Sequence, residues 1–164
     1  MMNNSLCILA TGGTIDKEHC PTTEKLVFTD KSYLPEMLEQ CRAPAIPHEV
    51  IMLKDSFDIT LQDRAIIKDT ILSRAESRIV ITHGTSTMSE TASYLKQHIQ
   101  DKVVVLTGAM RPFSLFKSDA GFNLGSAITA AKLLPHGIYI AMNGTIFNAN
   151  QVRKNIEKGI FEAL

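Results

Sequence analysis

Threonine hydroxyls placed just after apolar runs are the groups of this sequence best suited to chemistry. Thr11 and Thr14 stand in Ala10-Thr11-Gly12-Gly13-Thr14-Ile15, directly behind Leu6-Cys7-Ile8-Leu9. Thr85, Ser86 and Thr87 follow Arg78-Ile79-Val80-Ile81-Thr82, and Thr107 with Gly108 follows Lys102-Val103-Val104-Val105-Leu106. A threonine hydroxyl is a weak nucleophile at neutral pH and needs a base or a cationic neighbour to manage its proton. Lys154, in Gln151-Val152-Arg153-Lys154, is the candidate for that part. Each residue also has a plainer reading: Thr/Gly turns cap strands, and a lysine beside Arg153 at a helix start is a solvated charge. His83 reads as a hydrogen-bonded residue fixing the loop below the site. The glycines match neither a GxGxxG fingerprint nor a P-loop, so no nucleotide is implied.

Hydroxyls so far apart in sequence can share a cleft only if the strands that carry them lie side by side. The pattern supplies such strands. Apolar runs at 6–9, 49–53, 78–82, 102–106 and 137–142 alternate with helical stretches, the helices falling at about 32–41, 60–75, 88–99 and 119–134. Thr60 with Asp63 three residues later resembles a helix start, and Thr87 with Glu90 reads as a capping box. Leu61, Ala65, Ile66, Ile67, Ile71 and Leu72 form an apolar stripe on the second helix, and Ala127, Ile128, Ala131 and Leu134 do so on the fourth. Asn143-Gly144 turns the chain into a sixth strand at 145–147. Residues 16–30 read as a loop of the kind that covers a site, and Ile156, Ile160, Phe161 and Leu164 as one face of a closing helix. Strands separated by helices give an α/β fold: a doubly wound, mostly parallel sheet flanked by helices, in which ligands bind at the carboxyl ends of the strands.

Composition narrows the class of partner. The 164 residues carry 17 basic and 17 acidic side chains, which gives no support for a nucleic-acid or anionic-membrane partner. No apolar run approaches the roughly 18 residues of a membrane span, and Met1 to Asn4 lack the basic flank of an export signal, so a cytoplasmic protein is expected. Cys7, Cys20 and Cys41 are odd in number and irregularly spaced, as free thiols are in a reducing compartment. His19-Cys20 near Asp16 and Glu18 lacks ligand spacing, and no metal is implied.

Three segments together resemble the N-domain signatures of the bacterial-type L-asparaginase/glutaminase family: Thr11-Gly12-Gly13-Thr14-Ile15, His83-Gly84-Thr85-Ser86-Thr87-Met88-Ser89-Glu90-Thr91-Ala92, and Leu106-Thr107-Gly108-Ala109-Met110-Arg111-Pro112. The likeness runs through Ser118-Asp119-Ala120-Gly121-Phe122-Asn123-Leu124 and spans nearly the whole of residues 1–164 as one N-terminal-type domain. By this resemblance Thr14 would be the acylated nucleophile, Thr85 the second catalytic threonine and Lys154 the lysine that hydrogen-bonds it. Ser56 would hold the substrate α-carboxylate. Gly13, Gly84 and Ala109 would lie against the substrate, with backbone N–H groups near Ala109 and the Gly84-Thr85 turn as oxyanion donors. The implied reaction is amide hydrolysis with release of ammonia, without metal or organic cofactor.

Three departures accompany the likeness. Where the family has an aspartate for the substrate's α-ammonium, this sequence has Ser86, which carries no charge. The mobile loop usually holds a tyrosine, whereas residues 16–30 hold none and the nearest aromatics are Phe28 and Tyr33. The family's smaller C-terminal domain is absent from these residues, so a homodimer or another chain would have to complete the pocket. Two alternatives to an amidohydrolase follow: a non-catalytic module binding an amino-acid-like or carboxylate ligand, and an inert truncated domain.

Overall fold

A computed structural model describes residues 5–164. The expectation that Met1 to Asn4 carry no export signal falls on residues outside this range. Six strands form one sheet: β1 (Leu6–Gly12), β4 (His48–Lys54), β5 (Arg78–Thr82), β6 (Val103–Thr107), β7 (Gly137–Met142) and β8 (Thr145–Asn148), in the spatial order β4-β1-β5-β6-β7-β8. All neighbours run parallel except β7 and β8, which pair antiparallel through Asn143-Gly144. Both turn residues have positive φ, 55° and 71°, the pair of values a two-residue hairpin turn of this twist requires. The fold is the doubly wound α/β sheet expected from the sequence.

Alternation along the strands builds two apolar layers. Leu6, Ile8, Ala10, Val80, Val103 and Val105 face α1 (Leu34–Gln40) and α4 (Ala120–Leu133). Cys7, Leu9, Ile79, Ile81, Val104 and Leu106 face α2 (Leu61–Ser73) and α3 (Met88–His98). A sheet covered on both faces needs apolar residues at every position, which is why its strands read as continuous runs. The chain leaves β1 toward β4 on one side and returns across β1 to β5 on the other. The order therefore reverses at β1/β5, where such folds open a crevice at the carboxyl ends of the strands.

Several expectations are corrected. Residues 16–30 are not a plain loop: β2 (Lys17–Cys20) and β3 (Lys25–Phe28) pair as a hairpin, with Glu24 at φ 56° in its turn. Asp16 holds the two ends of this hairpin together, its Oδ1 accepting from Ser32 Oγ and Tyr33 N–H at 2.8 Å each, while Tyr33 Oη donates to Glu18 Oε2 at 2.6 Å. The closing helix is also a hairpin, β9 (Val152–Asn155) with β10 (Ile160–Ala163). The helical spacing of its apolar residues misleads because Ile156 and Leu164 are 85% and 79% exposed, whereas Val152 and Phe161 point into the core with period two.

On α2 only Ile67 and Ile71 of the aliphatic stripe are buried, and Leu61, Ile66 and Leu72 face outward. Its capping box is present, with Asp63 N–H donating to Thr60 Oγ1 at 3.1 Å and Thr60 N–H donating to Asp63 Oδ2 at 2.8 Å. The capping box expected at Thr87 and Glu90 does not form, because Thr87 Oγ1 donates instead to the Ser56 carbonyl at 2.7 Å and Glu90 pairs with Arg64. Among the described residues no helix is long and apolar enough to cross a membrane.

Candidate functional site

The ends of β1, β4 and β5 approach so closely that only glycine fits between them. Gly13, at φ 85°, lies backbone to backbone against Gly84: a Cβ on Gly13 would sit 2.4 Å from both Gly84 Cα and Gly84 N. A Cβ on Gly84 would in turn meet Ser56 Cβ at 2.5 Å. Gly13 N–H donates to the Lys54 carbonyl at 2.9 Å, joining the ends of β1 and β4. This stack of Gly13, Gly84 and Ser56 brings into contact the residues that directly precede Thr14 and Thr85. It is also what the absence of side chains at these positions is for.

The strand-end threonines then divide into two groups. Thr11 Oγ1 donates to the Thr82 carbonyl and Thr107 Oγ1 to the Ala141 carbonyl, each at 2.8 Å and fully buried between strands. Thr11, a first candidate for chemistry from its position, is thus a cross-strand tie. Thr14 is half-buried, opens a short 3-10 turn (Thr14–Asp16), and among the described residues its hydroxyl has no hydrogen-bond partner. Thr85 is 6% exposed and accepts a hydrogen bond from Lys154 Nζ at 2.8 Å.

Lys154 reaches Thr85 because it lies on β9, not at the start of a helix. Val152 and Lys154, two residues apart, share the inward face of β9, so Val152 is buried on the α3 layer and Lys154 reaches Thr85. The hairpin is anchored where Phe161 N–H donates to Asn143 Oδ1 at 2.8 Å, and Phe161 pairs with Lys154 in the β9/β10 register. Burial lowers the Lys154 ammonium below its ordinary range, against a smaller opposite pull from the Asp55 carboxylate. A lysine shifted this way releases a proton more readily, which suits it to proton transfer.

Ser56 is almost fully buried at the centre of this arrangement. Its Oγ accepts from Ser86 N–H at 3.2 Å and its carbonyl accepts from Thr87 Oγ1 at 2.7 Å, so the loop after β4 and the loop after β5 hold each other. Among the described residues the Ser56 hydroxyl proton has no acceptor. His83 is fully buried beneath: its Nδ1–H donates to the Gly84 carbonyl at 2.7 Å, and Thr91 Oγ1, which accepts from Arg64 Nε at 3.0 Å, donates to its Nε2 at 2.9 Å. Burial lowers its pKa to about 4, so the ring is neutral and structural, as its sequence position implies.

Sequence reasoning missed the charged pair that borders the site. Lys17 on β2 forms an ion pair with Asp55, immediately before Ser56, and tethers the hairpin to the β4 loop. Burial works against the Asp55 carboxylate, but the Lys17 hydrogen bond and the N–H groups of Phe57 and Ser56 outweigh it and hold the pKa below the usual value. Nothing in the spacing of Lys17 and Asp55 announces the pair, since it depends on how β2 folds back. A second missed group is Asn123, fully buried on α4, whose Nδ2 donates to the Gly108 carbonyl at 2.9 Å and whose Oδ1 accepts from Asn143 N–H at 3.2 Å. It couples the loop after β6 to the turn that anchors the Lys154 hairpin. Ala109 lies in that loop, buried against the α4 layer. Among the described residues no group of acidic, histidine and cysteine side chains could hold a metal ion, and Cys7, Cys20 and Cys41 are free thiols.

Comparison with known proteins bears on this geometry. A family model described as "Asparaginase, N-terminal" matches residues 5–160. Glutaminase-asparaginase of Acinetobacter glutaminasificans is 30% identical over 170 aligned positions, covering 93% of this chain and 50% of that protein. L-asparaginase of Bacillus licheniformis is 31% identical over 164 positions, covering 93% of this chain and 50% of its own length. Among solved structures, the thermostable L-asparaginase from Thermococcus kodakarensis superposes with a TM-score of 0.82 at 29% identity, covering 98% of this chain and 51% of that one. The chain spans about half the length of these relatives.

Proposed function

The chain belongs to the asparaginase family, which it matches through that family's N-terminal domain, and on that premise we propose that it is an amidohydrolase. It cleaves a small, asparagine-like carboxamide through a threonine acyl-enzyme and releases ammonia. The observation that carries this reading is the 2.8 Å contact from Lys154 Nζ to Thr85 Oγ1, made by a lysine that burial shifts toward its neutral form.

In the proposed reaction Thr14 Oγ1 bonds to the carboxamide carbon and its proton passes to the departing nitrogen, giving ammonia and a Thr14 ester. Water then attacks the ester carbon, the carboxylic acid leaves and the Thr14 hydroxyl is restored. Thr85 and Lys154 relay the protons in both steps. Ser56 donates to the substrate carboxylate, Ser86 and the backbone at Gly13 and Gly84 border the substrate, and the N–H groups of Ala109 and the Gly84-Thr85 turn face the developing oxyanion. The protein works in the cytoplasm as a homodimer, for which light scattering at micromolar concentration should give twice the mass of one chain.

Ammonia release from asparagine, glutamine, succinamate and N-acetylasparagine tests the reading. Release that Thr14→Ala abolishes supports it. No release from a folded protein favours the second reading, a binding module for an amino-acid-like ligand. That alternative draws on the lack of a hydrogen-bonded base at Thr14 among the described residues.

A further inference from the structure

The β9/β10 hairpin that carries Lys154 is a two-stranded sheet of its own, separate from the six-stranded one. A lone two-stranded ribbon is marginally stable in water and needs support from the fold around it. Val152 and Phe161 bury its inner face in the α3 layer, which fixes how deep the ribbon sits. Apolar contact is non-directional, so it does not fix where the ribbon stands against the strand ends. Among the described residues two hydrogen bonds join β9 and β10 to the rest of the fold: Lys154 Nζ to Thr85 Oγ1 and Phe161 N–H to Asn143 Oδ1, each at 2.8 Å.

The second bond lies directly across the ribbon from the first. Phe161 is the register partner of Lys154, and because its N–H points to Asn143 rather than into the ladder, the two residues form a non-hydrogen-bonded pair. Side chains in such a pair are closest and share one face. Asn143 therefore holds the ribbon at the level of its lysine. Asn143 is held in turn, its N–H donating to Asn123 Oδ1 at 3.2 Å. Nδ2 of the same buried Asn123 donates to the Gly108 carbonyl at 2.9 Å and to Asp119 Oδ2 at 3.0 Å, and Asp119 accepts from the N–H groups of Met110 and Arg111 at 3.0 Å each. One buried amide thus supports both the loop after β6 and, through Asn143, the ribbon bearing Lys154.

Resting on the amidohydrolase reading, we propose that Asn143 is a positioning residue: through the Phe161 main chain it sets Lys154 Nζ against Thr85, from the same support that sets the 108–111 loop. It acts through Lys154 and touches no reacting atom. Without the Asn143 acceptor the ribbon keeps its apolar contacts, but the lysine loses its fixed place beside Thr85 and its ammonium gains water. The pKa that burial lowers then moves back up.

The position permits a test that spares the turn. Asn143 has φ 55° and precedes Gly144, so glycine keeps the turn and removes the acceptor, whereas aspartate keeps both. Asn143→Gly and Asn143→Asp are compared with the parent protein for kcat, KM and the pH dependence of ammonia release from the best substrate of the amide panel, with thermal melting as the check on folding. Asn143→Gly should lower kcat about 10- to 100-fold. It should leave KM within about twofold, since Ser56 stands on another loop, and move the rising limb of the pH profile to higher pH. Asn143→Asp should recover most of the lost kcat. A parent-like kcat and pH limb in Asn143→Gly, an aspartate variant as slow as the glycine one, or loss of cooperative melting in Asn143→Gly overturns the proposal and leaves the amidohydrolase intact. If the parent protein hydrolyses no amide, that reading falls, and acetylation of Lys154 by trace acetic anhydride across alkaline pH, followed by peptide mapping, reads the lysine directly. A Lys154 titration at higher pH in Asn143→Gly than in the parent supports the positioning role, and superimposable titrations overturn it.

Discussion

Thr14 and Thr85 at the β1/β5 crevice differ from Thr11 and Thr107 in what surrounds the hydroxyl, not in residue type or in nearness to a strand end. Thr11 and Thr107 sit where a neighbouring strand still runs alongside, so a main-chain carbonyl takes each hydroxyl proton. Thr14 and Thr85 lie one residue past the glycine stack, where the strands have stopped. The end of backbone pairing separates a structural threonine from one available to a ligand. At the crevice the sheet offers hydroxyls and a shifted lysine, and one strand along it offers only ties.

The largest contrast is in activity. Thr14→Ala should reduce ammonia release by at least about a thousandfold with an unchanged melting temperature, and Thr11→Val should do the reverse, keeping activity in the protein that remains folded. Next is Lys154→Met, expected to cost about 10²- to 10⁴-fold. In the parent protein the rate should rise with pH through the lowered Lys154 pKa, because the neutral amine accepts the Thr85 proton, and the substitution should flatten that limb.

Acid stability separates the buried support from the site above it. The His83 pKa falls from 6.5 to about 4 on folding. Its contribution is therefore complete above pH 6.5 and lost as pH falls toward 4, on the order of 3 kcal/mol. Asp55 titrates below this window, and Asp16, whose carboxyl burial raises, opposes the loss at the acid end. Urea unfolding at pH 7.5, 6 and 5 should show the slope, and His83→Gln should remove it.

Two smaller effects sharpen the same contrast. Gly13→Ala should destabilise by about 1–3 kcal/mol, because a Cβ there collides with the Gly84 backbone rather than a movable side chain. Thr107→Val should cost about 1 kcal/mol, the worth of one buried hydrogen bond, and should be silent in the ammonia assay.

The sheet was legible because its strands are apolar on both faces, and Thr14, Thr85 and Ser56 could be proposed because they stand at strand ends in residue patterns that resemble a known family. The two hairpins were not. Lys17 to Phe28 carries too few apolar residues for its alternation to register, and in 152–163 the apolar spacing fits a helix until Ile156 is seen to face solvent. Both failures matter for the site, since one hairpin carries Lys17 and the other Lys154. Side-chain partnerships formed by convergence, such as Thr87 with the Ser56 carbonyl in place of its own helix cap, have no local signature at all.

The central claim is that Thr14, alone among these threonines, becomes acylated. Acid-quenched mass spectrometry of the protein during turnover of its fastest amide substrate, followed by peptide mapping, tests it directly. The account predicts a mass increase matching that substrate's acyl group on the peptide bearing Thr14, absent in Thr14→Ala and enriched in Lys154→Met. An adduct on Thr11, Thr85 or Thr107 instead, or turnover that persists in Thr14→Ala, would contradict it.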